Sequence, residues 1–200
     1  MFDALVIGGG ASGLSCALIL GSAKEKAFAK DKKIGIIVHQ RSSHLQEALL
    51  NNVLGIPENT TGKSILKSGI EKLKNQYSHV SQINKEKVFK LSRLNNDFLV
   101  ETNKNSYTSK IVVIAVGYSD LISIEGLEKY IEPHPRAKPE KNRIWLKNTD
   151  HLIENGLYVS GTLAGWRSQF AIAAGSGAQV ATDILTLWNN GEHTKIHDKI

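Results

Sequence analysis

The run Gly8-Gly9-Gly10-Ala11-Ser12-Gly13 constrains this chain more than any other feature. It follows a short apolar segment, Ala4 to Ile7, which reads as a fully buried parallel strand. It opens the small, apolar stretch Ala11 to Leu20, which has no breaker except Gly13 and reads as a helix. Ile34 to Val38 is a second buried strand. Strand, glycine loop, helix and strand in this order form a right-handed βαβ unit of a parallel sheet. In that setting G-x-G-x-x-G is a dinucleotide-binding fingerprint. Gly8 lets the chain turn sharply off the strand, Gly10 leaves room for a pyrophosphate to approach the backbone, and Gly13 allows helix and strand to pack closely. The helix N-terminus adds unpaired N–H groups and the positive end of its dipole.

The end of the second strand does not say which dinucleotide. An acid there would accept hydrogen bonds from a ribose, but the chain runs His39-Gln40-Arg41-Ser42-Ser43. His39 or Gln40 can bond a hydroxyl without charge. Arg41 and the serines equally suit the 2′-phosphate of NADP. The first βαβ unit therefore leaves FAD and NADP both open.

Further along, Gly62 to Tyr77 carries Ile65, Leu66, Ile70 and Leu73 near helical spacing, and His79 to Ile83 reads as a third parallel strand. Lys87–Leu91, Asp97–Glu101 and Ser106–Ser109 alternate as short strands, with Asn95-Asn96 as a turn, and form an antiparallel meander spanning about 86–110. Ile111 to Val116 and Leu157 to Val159 are buried strands, each ending near a glycine, and Ser168 to Trp188 is a long helix. Residues 118–156 give little pattern beyond the proline-rich loop around Pro133-His134-Pro135-Arg136. No window reads as a membrane-spanning helix, and no targeting segment precedes the glycine loop.

Composition narrows the class. Hydrophobic content of 41% and charged content of 22% are those of a soluble globular domain. One cysteine excludes an internal disulfide and a CxxC redox pair, and Cys16 falls where a helix packs. The net charge of +6 suggests nucleic acid, but no aromatic residues interleave with the basic ones, so neither nucleic acid nor a membrane is expected as a partner. A cytoplasmic, reducing location is expected.

Three later segments carry a resemblance. Asn51-Asn52-Val53-Leu54-Gly55-Ile56-Pro57 with Thr61-Gly62-Lys63-Ser64 is similar to the loop and helix after the second strand of thioredoxin reductase. Ile111-Val112-Val113-Ile114-Ala115-Val116-Gly117-Tyr118 resembles its "ATGY" segment, with Val116 for threonine. Gly156-Leu157-Tyr158-Val159-Ser160-Gly161-Thr162, followed by Ser168-Gln169-Phe170-Ala171, resembles the terminal FAD motif. The whole resembles the FAD domain of thioredoxin-reductase-like pyridine nucleotide–disulfide oxidoreductases. It implies an α/β fold: residues 1–200 as a single FAD-type Rossmann domain, a doubly wound parallel sheet with the small meander.

The resemblance also implies site roles. Gly8, Gly10, Ala11, Ser12 and Gly13 would hold the pyrophosphate, and His39, Gln40 and Arg41 would lie by the adenosine ribose. Asn52 would reach the flavin from its loop, and Val88 would present backbone to the adenine. Ala115, Val116 and Gly117 would line the cofactor beside the glycine loop, and Gly161 and Thr162 would approach the ribityl chain and pyrophosphate. Gln169, Phe170 and Ala171 would sit at a helix N-terminus near the flavin N1–C2 carbonyl, where reduction places negative charge.

The departures set the functional expectation. Thr162 stands where the family carries aspartate, so one charge-assisted hydrogen bond to the cofactor is lost. Gly117 and Gly161 are 44 positions apart, too close for the nicotinamide domain that normally intervenes. The dithiol is missing. The expectation is an FAD-binding oxidoreductase fed by an external donor, NAD(P)H or a partner reductase, with a homodimer shielding the flavin. The alternatives are a single-domain NADP-dependent oxidoreductase and a non-catalytic flavin-binding sensor or degenerate domain. No catalytic residue is assigned. His134 as a proton donor, Trp166 and Arg167 against the ring or an anionic substrate, and His193 with His197 as a metal pair are weaker candidates than surface, packing and a polar tail.

Overall fold

A computed structural model describes residues 1–39, 44–118 and 124–197. The strands are β1 Phe2–Ile7, β2 Ile34–Val38, β3 Leu49–Leu50, β4 Thr60–Thr61, β5 Ser81–Asn84, β6 Val88–Leu94, β7 Asp97–Thr102, β8 Ser106–Ile114, β9 Ile131–Pro133, β10 Ile144–Leu146, β11 Leu152–Glu154 and β12 Leu157–Val159. The helices are α1 Ala11–Ser22, α2 Gly62–Gln76 and α3 Phe170–Trp188.

The main sheet runs in the order β11-β12-β8-β1-β2-β5. Strands β12, β8, β1, β2 and β5 are mutually parallel, and β11 is an antiparallel edge. The apolar runs at 4–7, 34–38 and 111–114 are buried on both faces, which is why they read as continuous rather than alternating. Ala4 and Val6 face the three helices, whose Leu20, Leu73 and Ile184 pack on that side. Leu5 and Ile7 face the other way, onto Val88, Phe98 and Val100 of the meander and Leu146 of the β9–β10 hairpin. The expected α/β sheet with its meander is present, and among the described residues the meander, the hairpin and Leu163 and Ala164 of a short 3-10 turn cover the second face.

Two boundaries differ from the sequence reading. Ser106–Ser109 and residues 111–114 are one strand, β8, which ends two residues before the expected Val116; its first half pairs antiparallel with β7 and its second half parallel with β1 and β12. The polar Lys110 that divides them in the sequence is accommodated at the sheet end, where its Nζ lies 3.0 Å from Asp3 Oδ1. The segment 118–156 hides β9, β10 and β11, three-residue strands too short to leave a periodic pattern. A third difference concerns α3. By length and composition it could cross a membrane, against the expectation that no window approaches this, and it is the one such helix among the described residues. One face of it packs in the core: Val180, Ala181, Ile184 and Leu185 are buried against α1 and the sheet.

The meander is pinned by Glu86, 7% exposed. Its carboxylate accepts from Thr102 Oγ1 at 2.6 Å, Asn105 Nδ2 at 2.9 Å and Tyr107 Oη at 3.0 Å. Burial pushes the carboxyl upward, but the three donors together outweigh it and hold the pKa below the ordinary glutamate value. A carboxyl depressed in the folded state stabilises above its unfolded pKa, and that contribution is lost as pH falls through the depressed value. Glu86→Ala strands three donors, so it should cost about 2–3 kcal/mol in urea unfolding, and the deficit should shrink at acid pH. An unchanged midpoint at neutral pH would show that the carboxylate does not pin the meander.

Candidate functional site at the carboxyl edge of the sheet

The carboxyl ends of β1, β8 and β12 converge on the N-terminus of α1. Gly8, at φ +121°, donates to Ile37 O at 2.9 Å, and Ala115 N donates to Ile7 O at 2.8 Å. The first bond ties the glycine loop to β2 and the second draws the end of β8 alongside, so closely that a Cβ on Gly8 would lie 2.3 Å from Ala115 O. On Gly13 it would lie 1.9 Å from Gly8 O. Both glycines are therefore required by packing, as the motif predicts.

Gly10 is different. It is the N-cap of α1, no side chain caps it, and a Cβ there would meet nothing within 4 Å. The first-turn N–H groups of α1 lack intrahelical acceptors, and no acid stands in that turn to compete for them. Gly117, three residues past the end of β8, also faces open space. A glycine held where nothing fills the position of its side chain, at an uncapped helix start, fits an anionic group brought against backbone. The residues present thus fit the pyrophosphate of a dinucleotide.

The end of β12 completes the edge. Gly161, at φ +76°, sits with its Cβ position 2.7 Å from Ser12 Oγ, and its N–H donates to Ser176 Oγ at 2.7 Å. Gly177 lies deeper in α3, where a Cβ would be 1.9 Å from Ser12 O. Helices α1 and α3 therefore cross at backbone contact. Gln169 is the N-cap of α3, without a side-chain cap, and Ala171 in the first turn is exposed.

One comparison decides the family: residues 2–157 match the family model described as pyridine nucleotide-disulphide oxidoreductase. The chain belongs to that family. Its fold is similar to that of a thioredoxin reductase from Gloeobacter violaceus, at 13% identity and TM-score 0.72, covering 100% of this chain and 99% of the other. It is also similar to an oxidoreductase from Agrobacterium tumefaciens, at 13% identity and TM-score 0.76, covering 96% and 99%. A ferredoxin-flavin thioredoxin reductase from Clostridium acetobutylicum shares 16% identity with TM-score 0.68, over 94% and 98%. No curated protein matches the sequence.

Within this family member, Gly8, Gly10, Ala11, Ser12, Gly13, Ala115, Val116, Gly117, Gly161 and Thr162 lie along one edge. Gln169, Phe170 and Ala171 start the helix that crosses it. His39 directly follows β2 at the same end of the sheet, while Gln40 and Arg41 lie outside the described residues. Val88 begins β6, three residues after Lys85, whose N–H donates to Val38 O at 2.9 Å. Its side chain is buried in the meander core. Asn52 is exposed in the bend after β3.

His134 is not a surface residue. It is 7% exposed, its Nδ1 accepts from Arg136 N at 3.1 Å, and its Nε2 lies 3.1 Å from Thr162 O. With Nδ1 an acceptor, Nε2 carries the proton and donates it to that carbonyl. Both nitrogens are used in fixing the loop beside Thr162. Cys16 is fully buried, and burial pushes its thiol up to about 12. Folded protein should resist iodoacetamide at neutral pH and unfolded protein should react at once; rapid labelling of the folded form would contradict the burial. Sequence reasoning missed Ser176 and Gly177 as joints of the site. The signal was present in the run Gly175-Ser176-Gly177 inside an otherwise good helix.

Proposed function

We propose that this chain is an FAD-binding flavoprotein oxidoreductase, built as one domain, that takes its electrons from an external donor. The observation that carries the reading is the uncapped start of α1 at Gly10, open to a ligand and flanked by the ends of β8 and β12. When bound, FAD would supply two-electron chemistry. The chain's own residues would bind and orient. The α1 N–H groups and Gly10 backbone would hold the pyrophosphate, with Ser12 and Gly161 behind it. His39, with Gln40 and Arg41, would serve the adenosine ribose without a carboxylate, and Val88 the adenine. Ala115, Val116 and Gly117 would line one side, Thr162 the ribityl chain, and Asn52 the flavin. The exposed first turn of α3, Gln169 to Ala171, would stabilise negative charge brought to it by its dipole. The donor would be NAD(P)H or a partner reductase, a second copy of the chain would shield the exposed edge, and the location would be cytoplasmic.

The test is a visible spectrum of the purified, FAD-reconstituted protein, followed by anaerobic NADPH or NADH. A retained yellow chromophore that bleaches supports the full reading. Retained colour without bleaching by either nucleotide, or by reduced ferredoxin, would favour a non-catalytic sensor. Colourless protein stabilised by NADP would overturn the flavin assignment.

A further inference from the structure

A cavity of about 600 Å³ lies between α3 and the β11–β12 edge. It is formed by a turn that the sequence does not advertise. Asp150 and His151 both adopt positive φ, +46° and +74°, in the tight turn closed by Thr149 N to Leu152 O and Leu152 N to Thr149 O, each 2.9 Å. Asn148 Oδ1 accepts from His151 N at 3.0 Å and locks the turn. The result drives the imidazole inward until it is 5% exposed.

His151 Nδ1 lies 3.0 Å from Val159 O, so it carries the proton and donates it to that carbonyl. Nδ1 also lies 3.5 Å from Ser176 Oγ. Nε2 is left as a lone-pair acceptor, with no hydrogen-bond partner among the described residues. Tyr158, 9% exposed, lines the same cavity, and its phenol likewise has no partner among them. Asp183 and Asp150 stand on the wall, and neither forms an ion pair among the described residues. Asp183 accepts one hydrogen bond, from Gln179 Nε2 at 2.9 Å. Burial pushes its carboxyl upward, and nearby Asp150 adds to this. Trp166 forms an aromatic side, with the Arg136 guanidinium 5.2 Å from its ring centroid and held by Gly165 O.

The lining therefore offers acceptors in excess of donors: two carboxylates, an imidazole lone pair and a phenol oxygen. One guanidinium at the rim does not balance two carboxylates. Among the described residues no three His, Cys, Asp or Glu side chains converge closely enough to hold a metal ion. A group that brings several N–H donors and a positive charge would satisfy this wall, and its carbon body could lie on the Trp166 ring.

We propose that this cavity is a binding site for a primary ammonium group carried on a short apolar chain or ring, its three N–H donors taken by Asp183, His151 Nε2 and the Tyr158 hydroxyl, with Asp150 adding negative charge from the wall. The ammonium can belong to a free amine or to a lysine side chain. The site is separate from the Gly10 edge and does not rest on the flavin reading. It touches that edge through one relay, His151 to Ser176 to the N–H of Gly161.

The test is calorimetric titration of the full chain, with and without FAD. The probes are phenethylammonium, its neutral isostere phenethyl alcohol, and Nα-acetyl-lysine N-methylamide. Ammonium binding is expected at one site, with the alcohol at least tenfold weaker. Asp183→Asn should weaken the ammonium at least tenfold and Tyr158→Phe about threefold, each with an unchanged circular dichroism spectrum. The indole N–H NMR signal of Trp166, assigned with Trp166→Phe, should shift on binding. Tighter binding of phenethylammonium marks a free amine as the source, and tighter binding of the lysine mimic marks a protein side chain. Equal binding of amine and alcohol, no saturable binding of either ammonium probe, or ammonium affinity unmoved in both variants would overturn the proposal.

Discussion

Gly10→Val will fold as the wild type does and will not hold FAD. The position has a negative φ of −79° and empty space where a side chain would go, so valine costs the fold no more than about 1 kcal/mol, mostly from a poorer N-cap. On the proposed reading the same branched side chain would stand where the pyrophosphate approaches the backbone and would screen the first-turn N–H groups of α1. A loss of FAD affinity of about 100-fold or more is expected, roughly 2.7 kcal/mol. Equilibrium dialysis with FAD measures it, beside urea unfolding of the apoprotein. Undiminished affinity in a folded Gly10→Val protein would move the ligand away from α1.

Gly177→Val will instead destabilise the fold itself. Its Cβ would be 1.9 Å from Ser12 O and 2.9 Å from Ser12 Cα, both backbone atoms that cannot swing aside. To relieve the overlap, α3 must part from α1, opening the interface that buries Val180, Ala181 and Ile184. A cost of about 3–4 kcal/mol is expected, or a fall of about 10 °C in Tm for a chain of this size. Flavin retention should fall with it, because Ser176 and Gly161 are joined across that crossing. A variant within about 1 kcal/mol of wild type would show that the helices are not held at backbone contact. Together the two substitutions separate a glycine kept for a ligand from a glycine kept for packing.

Much of this edge was legible from the chain alone because its constraints are local. Gly8, Gly10 and Gly13 follow a strand and open a helix, and each spacing has one steric purpose. The buried strands 34–38 and 157–159 are continuous apolar runs ended by a polar or glycine residue, and both bounds were read as they stand. What escaped the sequence depends on contacts distant in the chain. His134 looks like part of a surface loop until the fold lays it on Thr162. Lys110 looks like a break in β8 until Asp3 arrives beside it. The turn at Asp150-His151 carries no glycine, so it gives no signal, although turns of this hand usually need one. The cavity built on it was invisible for the same reason. Family membership was carried by motif order, whereas the substitution of Thr162 for an acid speaks only to how tightly a cofactor is held.

The most direct measurement of the central claim is a fluorescence titration of purified apoprotein with FAD, paired with the same titration using NADP. Saturation at one FAD per chain, with the bound flavin surviving gel filtration, is the predicted result. Free elution of all FAD at saturating concentration, with NADP binding in its place, would contradict it.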